Sequence, residues 1–265
     1  TDPREAFAGA KSAALQALRL DDMIADAHSA LGTVLGSGEF DWRGAEGEFN
    51  RAMELNPSSA VVRYDYAWCY ALWFLYPQGR VEEALAEIRR ALVLDPLDPF
   101  YNALLAYLLH AAGELEPAVA QFRHAIDLDS AFPFSHMLFS ITLTAMGRLD
   151  EAIAEGKKAN QLSGGNATTL WVLGSAYARA GRTAEARRIL EELMERRRSM
   201  YVPASAFALI RAGLGEREES LDWLARAIEE RDPIIVTSFK TARAYERLRS
   251  HPAYQALLRT MNLEP

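Results

Sequence analysis

Histidine, cysteine and paired carboxylates could do chemistry in this chain, but the histidine spacing forms no metal-binding motif. A zinc site needs ligands at close and regular spacing, as in His-x-x-Glu-His. The five histidines instead lie in different parts of the chain, at His28, His110, His124, His136 and His251. We therefore predict that the protein has no metal site.

The other candidate residues favour structural roles. Cys69 lies within an apolar stretch with no catalytic motif around it, which favours a buried or groove-facing thiol. Gly164 and Gly165 join two predicted helices instead of following a strand, so they predict a turn and no phosphate-binding loop. Adjacent acids with nearby arginines are typical of a solvated helix face: Glu82-Glu83, Glu191-Glu192 and Glu229-Glu230. We predict no catalytic residue, no cofactor and no enzymatic activity.

The composition disfavours nucleic-acid and membrane partners. The 265 residues carry a formal net charge of −7, which repels phosphate and removes the attraction on which nonspecific nucleic-acid binding depends. The longest apolar stretch, residues 67–76, is about half as long as a bilayer-spanning helix. No signal peptide is visible, which says little about a longer parent protein, and a single cysteine does not distinguish the cytosol from the periplasm; a cytoplasmic location is our expectation.

The strongest pattern is a glycine that recurs every 34 residues. Gly79, Gly113, Gly147, Gly181 and Gly215 are each followed five residues later by alanine or serine. Glycine suits the left-handed backbone that ends a helix, and the alanine or serine belongs to the buried stripe of the next helix. This period predicts stacked helical hairpins that form an all-α superhelix, or solenoid.

Small residues predict where the helices approach each other. A small residue recurs in the first helix of each hairpin, and we interpret it as a packing notch: Ala106, Ser140, Gly174 and Ala208. The second helix carries apolar residues at positions i, i+4 and i+7, as at Ala118, Phe122 and Ala125. Both helices of a hairpin are therefore expected to face a shared core.

The period breaks at both ends and once inside the chain. Residues 3–20 predict a second helix whose first helix is missing, which favours an array that was cut or a partner helix from elsewhere. Five extra residues between Ala67 and Gly79 must lengthen a first helix or bulge from the hairpin. Residues 234–236 predict a short β-branched connector, and residues 252–261 predict a final helix that shields the end of the stack.

These features resemble the tetratricopeptide repeat over residues 3–233. The small residue, the helix-ending glycine, the second-helix alanine and the closing proline all match, as in Leu31-Gly32 with Ala45, Phe49, Ala52 and Pro57. The aromatic residue expected four positions before the small residue is replaced by His28, Arg63, Asn102, His136, Leu170 and Ala204. The resemblance implies one solenoid domain, 1–265, with a partial repeat (1–22), six repeats (23–57, 58–98, 99–132, 133–166, 167–200 and 201–234) and a C-terminal cap (235–265).

A narrower resemblance is to the C-terminal repeat domains of bacterial multidomain signalling proteins, which follow winged-helix, Ser/Thr kinase or nucleotide cyclase domains. It is carried by Phe40-Asp41-Trp42 before Gly44-Ala45-Glu46, and by Leu248-Arg249-Ser250-His251-Pro252 before Leu257-Leu258-Arg259. In the second phrase His251 replaces the usual aspartate. This resemblance implies an interaction or regulatory module of a longer protein.

In this family the first helices line the concave side of the superhelix. Helical geometry places a stripe beside the small residue, and the stripe is aromatic and aliphatic: Val61, Tyr64, Trp68, Phe100, Tyr107, His110, Phe134, Met137, Ile141 and Trp171. The Lys, Asn and Arg anchors of carboxylate-clamp members are missing. We therefore predict a noncatalytic scaffold whose groove binds a protein or peptide through apolar side chains.

Three alternatives stay open at this point. Packing between repeats, or residues 67–77 folding into the groove, would also explain the apolar stripe. The array would otherwise be a self-association or intramolecular docking module without a free peptide ligand. The third alternative is an enzyme or small-molecule sensor that uses a pocket near Trp68, Cys69 and His110.

Overall fold

The computed structural model of the protein describes residues 2–57, 66–239 and 242–263, and these residues are mostly helical. Two π-helices, π1 (Val34–Glu39) and π2 (Tyr66–Leu75), and a 3₁₀ turn (Arg243–Tyr245) accompany the α-helices. The α-helices of the first half are α1 (Pro3–Leu20), α2 (Ala25–Thr33), α3 (Trp42–Leu55), α4 (Val81–Leu94), α5 (Pro99–Ala111), α6 (Leu115–Leu128) and α7 (Pro133–Met146). Those of the second half are α8 (Leu149–Leu162), α9 (Ala167–Arg179), α10 (Thr183–Arg196), α11 (Ala204–Leu214), α12 (Arg217–Glu229), α13 (Pro233–Ser238) and α14 (Pro252–Thr260).

Consecutive helices pack in pairs, and the pairs stack. The hairpins are α2–α3, π2–α4, α5–α6, α7–α8, α9–α10 and α11–α12, and α1 packs on α2. The first helices also pack side by side, α5 on α7, α7 on α9 and α9 on α11. The structure thus confirms the predicted all-α solenoid. In the part of the chain that the structure describes, no helix has both the length and the apolar character that a bilayer crossing requires.

The recurring glycines end helices, as predicted. Gly147 ends α7 with a φ of 78°, and Gly215 ends α11 with a φ of 82°. Side chains with a Cβ disfavour this left-handed backbone, so glycine relieves strain at the turn between the two helices of a hairpin. The 34-residue period therefore marks the hairpin turns.

The small residues are packing notches, as predicted. A Cβ added at Gly174 would lie 2.7 Å from Ile210 Cδ1 and 2.8 Å from Ile189 Cγ2. Ile210 belongs to α11 and Ile189 to α10, so Gly174 lets α9 approach two helices at once. In the second helices the predicted stripe is fully buried, as at Ala118 and Phe122.

Widened helical turns accommodate the extra residues of the first two hairpins. In π2 the helix continues to Leu75, and the Tyr76 N–H donates to the Ala71 carbonyl at 3.1 Å, five residues back. Phe74 and Leu75 are buried in the core. The insert therefore lengthens the first helix inward, which is one of the two predicted outcomes.

In two repeats a histidine stands where the repeat family has an aromatic residue, and each histidine contacts a carboxylate. His136 Nδ1 lies 2.6 Å from Glu155 Oε2, and its Nε2 lies 3.1 Å from the Ser130 carbonyl oxygen. His28 contacts Glu48 in the same way, at 2.6 Å. Each histidine ties the start of a first helix to the second helix of its hairpin. The hydrogen bond from Glu155 raises the pKa of His136 above its ordinary value of 6.5, although burial opposes this shift.

The chain after Asp232, which we call the C-terminal segment (residues 233–239 and 242–263), differs from the prediction. The predicted connector at residues 234–236 is wrong, because these residues lie within helix α13. The buried Asp232 carboxylate caps that helix by accepting the Ile234 N–H at 2.9 Å. It also accepts the backbone N–H and the hydroxyl of Ser205 at the start of α11, which fixes the segment to the last hairpin.

The C-terminal segment reaches the other end of the array. The predicted final helix is present as α14, which packs on α12 and buries Tyr254 and Leu258. Beyond it, the Trp42 indole N–H donates to the Met261 carbonyl at 2.8 Å, across 219 residues of sequence. Helix α13 also contacts π1 and π2. The segment therefore caps the last hairpin and joins it to the first.

Candidate functional site

The predicted groove residues converge on one cavity, which we call the groove cavity. It has a volume of about 440 Å³ and is lined by seven of the ten predicted residues: Trp68, Tyr107, His110, Phe134, Met137, Ile141 and Trp171. Phe100 does not line it but supports its wall, because its ring centroid lies 5.4 Å from Trp68 and 5.1 Å from Phe134. Val61 and Tyr64 lie outside the described residues, so their part in the groove stays a prediction.

Aromatic contacts between hairpins give the cavity a continuous wall. Trp68 and Phe134 meet edge to face at 5.4 Å, and Tyr76 and Tyr107 do so at 5.6 Å. Edge-to-face pairs of this kind stabilise the arrangement by about 0.5–1.5 kcal/mol each beyond the burial of their area. The wall thus joins π2 to α5 and α7.

The insert forms one side of the groove cavity. Trp68, Leu72 and Tyr76 of this region line it, and Trp68 stays only partly buried. Phe134, Met137 and Ile141 of α7 are also partly buried. Trp68, Leu72 and Tyr76 therefore contribute a wall, and a cavity remains between that wall and the later first helices.

The C-terminal segment forms another side of the groove cavity, which the sequence did not indicate. Pro233, Ile234, Thr237 and Ser238 of α13 line the groove cavity, together with residues 242–244. The Arg243 Nη1–H donates to the Ala145 carbonyl oxygen of α7 at 2.7 Å. No local pattern could have located this contact, because the two residues are 98 positions apart in sequence.

Buried polar atoms without partners line the otherwise apolar surface. The Trp171 indole N–H and the His110 Nδ1 have no hydrogen-bond partner among the described residues. Burial, and secondarily the charge of Arg243, lower the pKa of His110, so its imidazole is favoured in the neutral form. Both atoms lie beneath the cavity surface, so a polar group in the cavity would reach them only after these side chains move.

The cysteine and two of the histidines that could do chemistry have structural roles. Cys69 is buried in π2, as predicted, and does not line the groove cavity. His28 and His136 bind carboxylates within their own hairpins. Within residues 2–57, 66–239 and 242–263, no three His, Cys, Asp or Glu side chains are grouped so as to hold a metal ion.

Comparison with known proteins supports the repeat architecture. Residues 101–132 and residues 143–201 each match a family model of the tetratricopeptide repeat, and together they cover about a third of the chain. The search of curated proteins found no similar sequence.

Two solved structures of similar fold illustrate the likeness. PilW, a widely conserved type IV pilus biogenesis factor, is 16% identical over 86% of this chain and 99% of its own, with a TM-score of 0.53. TTC0263, a thermophilic repeat protein of Thermus thermophilus, is 24% identical over 65% of this chain and 94% of its own, with a TM-score of 0.50. At these identities the likeness concerns the fold alone. The stacked hairpins and the shared fold are those of an all-α solenoid, and residues 101–132 and 143–201 of it match the tetratricopeptide repeat directly.

Proposed function

We propose that the protein is a noncatalytic interaction module that binds an apolar segment of a protein partner in the groove cavity. Proteins built from this repeat generally mediate protein–protein interactions. The observation that carries the proposal is the convergence of predicted aromatic and aliphatic side chains from four hairpins on one cavity of about 440 Å³. A cavity of this size, apolar with a few polar atoms, is typical of a binding site.

The chemistry of the wall favours a partner that inserts an apolar side chain. Trp68, Tyr107 and Phe134 present ring surface that is only partly buried. Aromatic residues in a concave, water-excluding site contribute much of the free energy of protein association, because they bury large areas with little loss of conformational entropy. We therefore expect one aromatic or branched aliphatic side chain of the partner to enter between π2 and α7.

Peptide selection tests this proposal. A random peptide library displayed on phage would be selected on the immobilised protein, and the affinity of each selected peptide measured by calorimetry. Ile141→Gln alters the cavity wall, and Ile126→Gln is the matched control, because both isoleucines are partly buried on the core and only Ile141 lines the cavity. Loss of the buried apolar contact should weaken binding by about tenfold or more.

The control variant separates groove binding from a general effect on stability. Ile126→Gln should leave the affinity within about twofold of that of the unmodified protein, since a few tenths of a kcal/mol change affinity by no more than that. Equal weakening by both substitutions, or a selection that returns no binding peptide, would contradict the proposal.

We further propose that the chain serves as a regulatory or interaction module of a larger bacterial signalling protein. The phrases around Phe40 and Pro252 support this, because they resemble repeat domains that follow signalling domains. Determining the coding sequence upstream of Thr1 tests the proposal. An effector domain in the same reading frame would support it, and a start codon directly before Thr1 would contradict it.

Helix α1 favours a second candidate function, which is self-association or docking on another domain. Leu20 at the end of this helix is 83% exposed, and Met23 in the following turn is 59% exposed. Exposed apolar residues of this size are typical of a surface that another chain covers. Light scattering over a range of concentrations would test it. A dimer that Leu20→Glu dissociates would support this function, and a monomer at every concentration would contradict self-association.

A further inference from the structure

The charges around the groove cavity have only one sign. The chain has more acidic than basic residues, 36 against 29, and its net charge is −7. The described residues that line the cavity nevertheless include Arg179 and Arg243 and no aspartate or glutamate. The cavity is therefore a positive site on a negative protein, and it attracts anions that the rest of the surface repels.

Neither arginine forms an ion pair with a described carboxylate. Arg243 is held by its hydrogen bond of 2.7 Å to the Ala145 carbonyl oxygen, which uses one of its five N–H donors. Arg243 lines the groove cavity together with the aromatic wall, and its charge contributes to the lowered pKa of His110. Arg179 is exposed in the last turn of α9, at the same cavity. The planar fork of a guanidinium matches the two oxygens of a carboxylate.

A buried donor of the cavity also lacks an acceptor. Trp171 is only 7% exposed, and its Nε1–H has no partner among the described residues. An indole nitrogen can only donate a hydrogen bond, and a buried polar group without a partner costs about 1–3 kcal/mol. The nitrogen itself is inaccessible to solvent, so a ligand oxygen would recover this cost only after the indole turns toward the cavity.

We infer that the partner segment carries an aspartate or glutamate next to the apolar side chain that enters the groove cavity. The inference rests on the proposed function and specifies its partner: the apolar side chain packs on the aromatic wall, and the carboxylate binds Arg243 and Arg179. Charge complementarity favours this occupant over a neutral or basic segment. The C-terminal segment supplies Arg243 and thereby takes part in recognition.

The peptide selection described above tests the inference directly. Displayed peptides joined to the coat protein at their C-terminus have no free terminal carboxylate, so an anionic group must come from a side chain. We expect Asp or Glu within two positions of the aromatic or aliphatic anchor, and we expect this enrichment to disappear when the double variant Arg179→Gln, Arg243→Gln is the target. Binding peptides without acidic enrichment would overturn the inference and leave the proposed function standing.

A matched pair of small probes gives a second measurement. 2-Naphthoate and 2-naphthamide share an aromatic body and differ in charge, so their affinities report the charge preference of the cavity. Ligand-observed NMR should show naphthoate binding about tenfold more tightly, and the double variant Arg179→Gln, Arg243→Gln should remove the difference. Arg89→Gln is the control, because Arg89 is exposed on α4 and does not line the cavity. Equal binding of both probes, or binding of neither, would overturn the inference.

Discussion

The same substitution, glycine to alanine, should change stability in opposite directions at two helical positions. Gly174 lies in α9 and Gly47 lies in α3. Alanine is favoured over glycine in a helix interior by about 1 kcal/mol, and this gain applies to both. At Gly47 the added Cβ would have no other atom within 4 Å, so Gly47→Ala should stabilise the protein by about 1 kcal/mol.

At Gly174 the added methyl group meets atoms that have little room to move. It would lie 2.7 Å from Ile210 Cδ1 and 2.8 Å from Ile189 Cγ2, and Ile210 is fully buried. Overpacking of this kind costs about 1–3 kcal/mol, because side chains leave their preferred rotamers or helices shift. The gain in helix propensity offsets about 1 kcal/mol of this cost, so Gly174→Ala should destabilise the protein by up to about 2 kcal/mol.

Urea denaturation followed by circular dichroism would measure both variants against the unmodified protein. The difference between them isolates the overpacking cost, since the propensity gain cancels, and it should be about 1–3 kcal/mol. A melting temperature difference of about 2–4 °C should accompany each kcal/mol. If Gly174→Ala stabilises as much as Gly47→Ala, the interpretation of the small residue as a packing notch is wrong.

Three further substitutions test the hairpin turns, the His136–Glu155 contact and the C-terminal segment. Gly147→Ala should cost about 1–2 kcal/mol of unfolding free energy in urea, from backbone strain alone, because the φ is 78° and no atom lies within 4 Å of the new Cβ. The raised pKa of His136 means that its contact with Glu155 stabilises the protein fully below pH 6.5 and that this contribution is lost as the pH rises through the folded-state pKa. The difference in unfolding free energy between the protein and His136→Asn should therefore shrink from about pH 6 to pH 8, and a constant difference would refute this. Trp42→Phe removes the donor to the Met261 carbonyl, so amide hydrogen exchange in α14 should accelerate about fivefold, the equivalent of about 1 kcal/mol.

Most of the groove residues could be predicted because helical spacing fixes their direction. The stripe beside the small residue grouped Tyr107, Ile141 and Trp171, and the three line one cavity although they come from three different hairpins. The unpaired cations could not be found in this way. Arg179 lies at the end of its helix, and Arg243 lies beyond the repeats. Because the stripe lacks polar anchors, the sequence predicted a ligand with apolar side chains. The two arginines that make the cavity positive lie outside the stripe.

The sequence by itself determined the repeats, since their signals are local. A helix-ending glycine, a small residue and an apolar stripe each act within one hairpin of about 34 residues, and their recurrence predicts the stack. The tertiary structure decided how the stack curves and what closes it. The C-terminal segment joins the two ends, since the Trp42 indole N–H donates to the Met261 carbonyl, 219 residues away. The same segment brings Arg243 to Ala145 and turns an open stripe into a bounded cavity. No local sequence pattern encodes these two contacts, because their partners lie 98 and 219 positions apart in the chain.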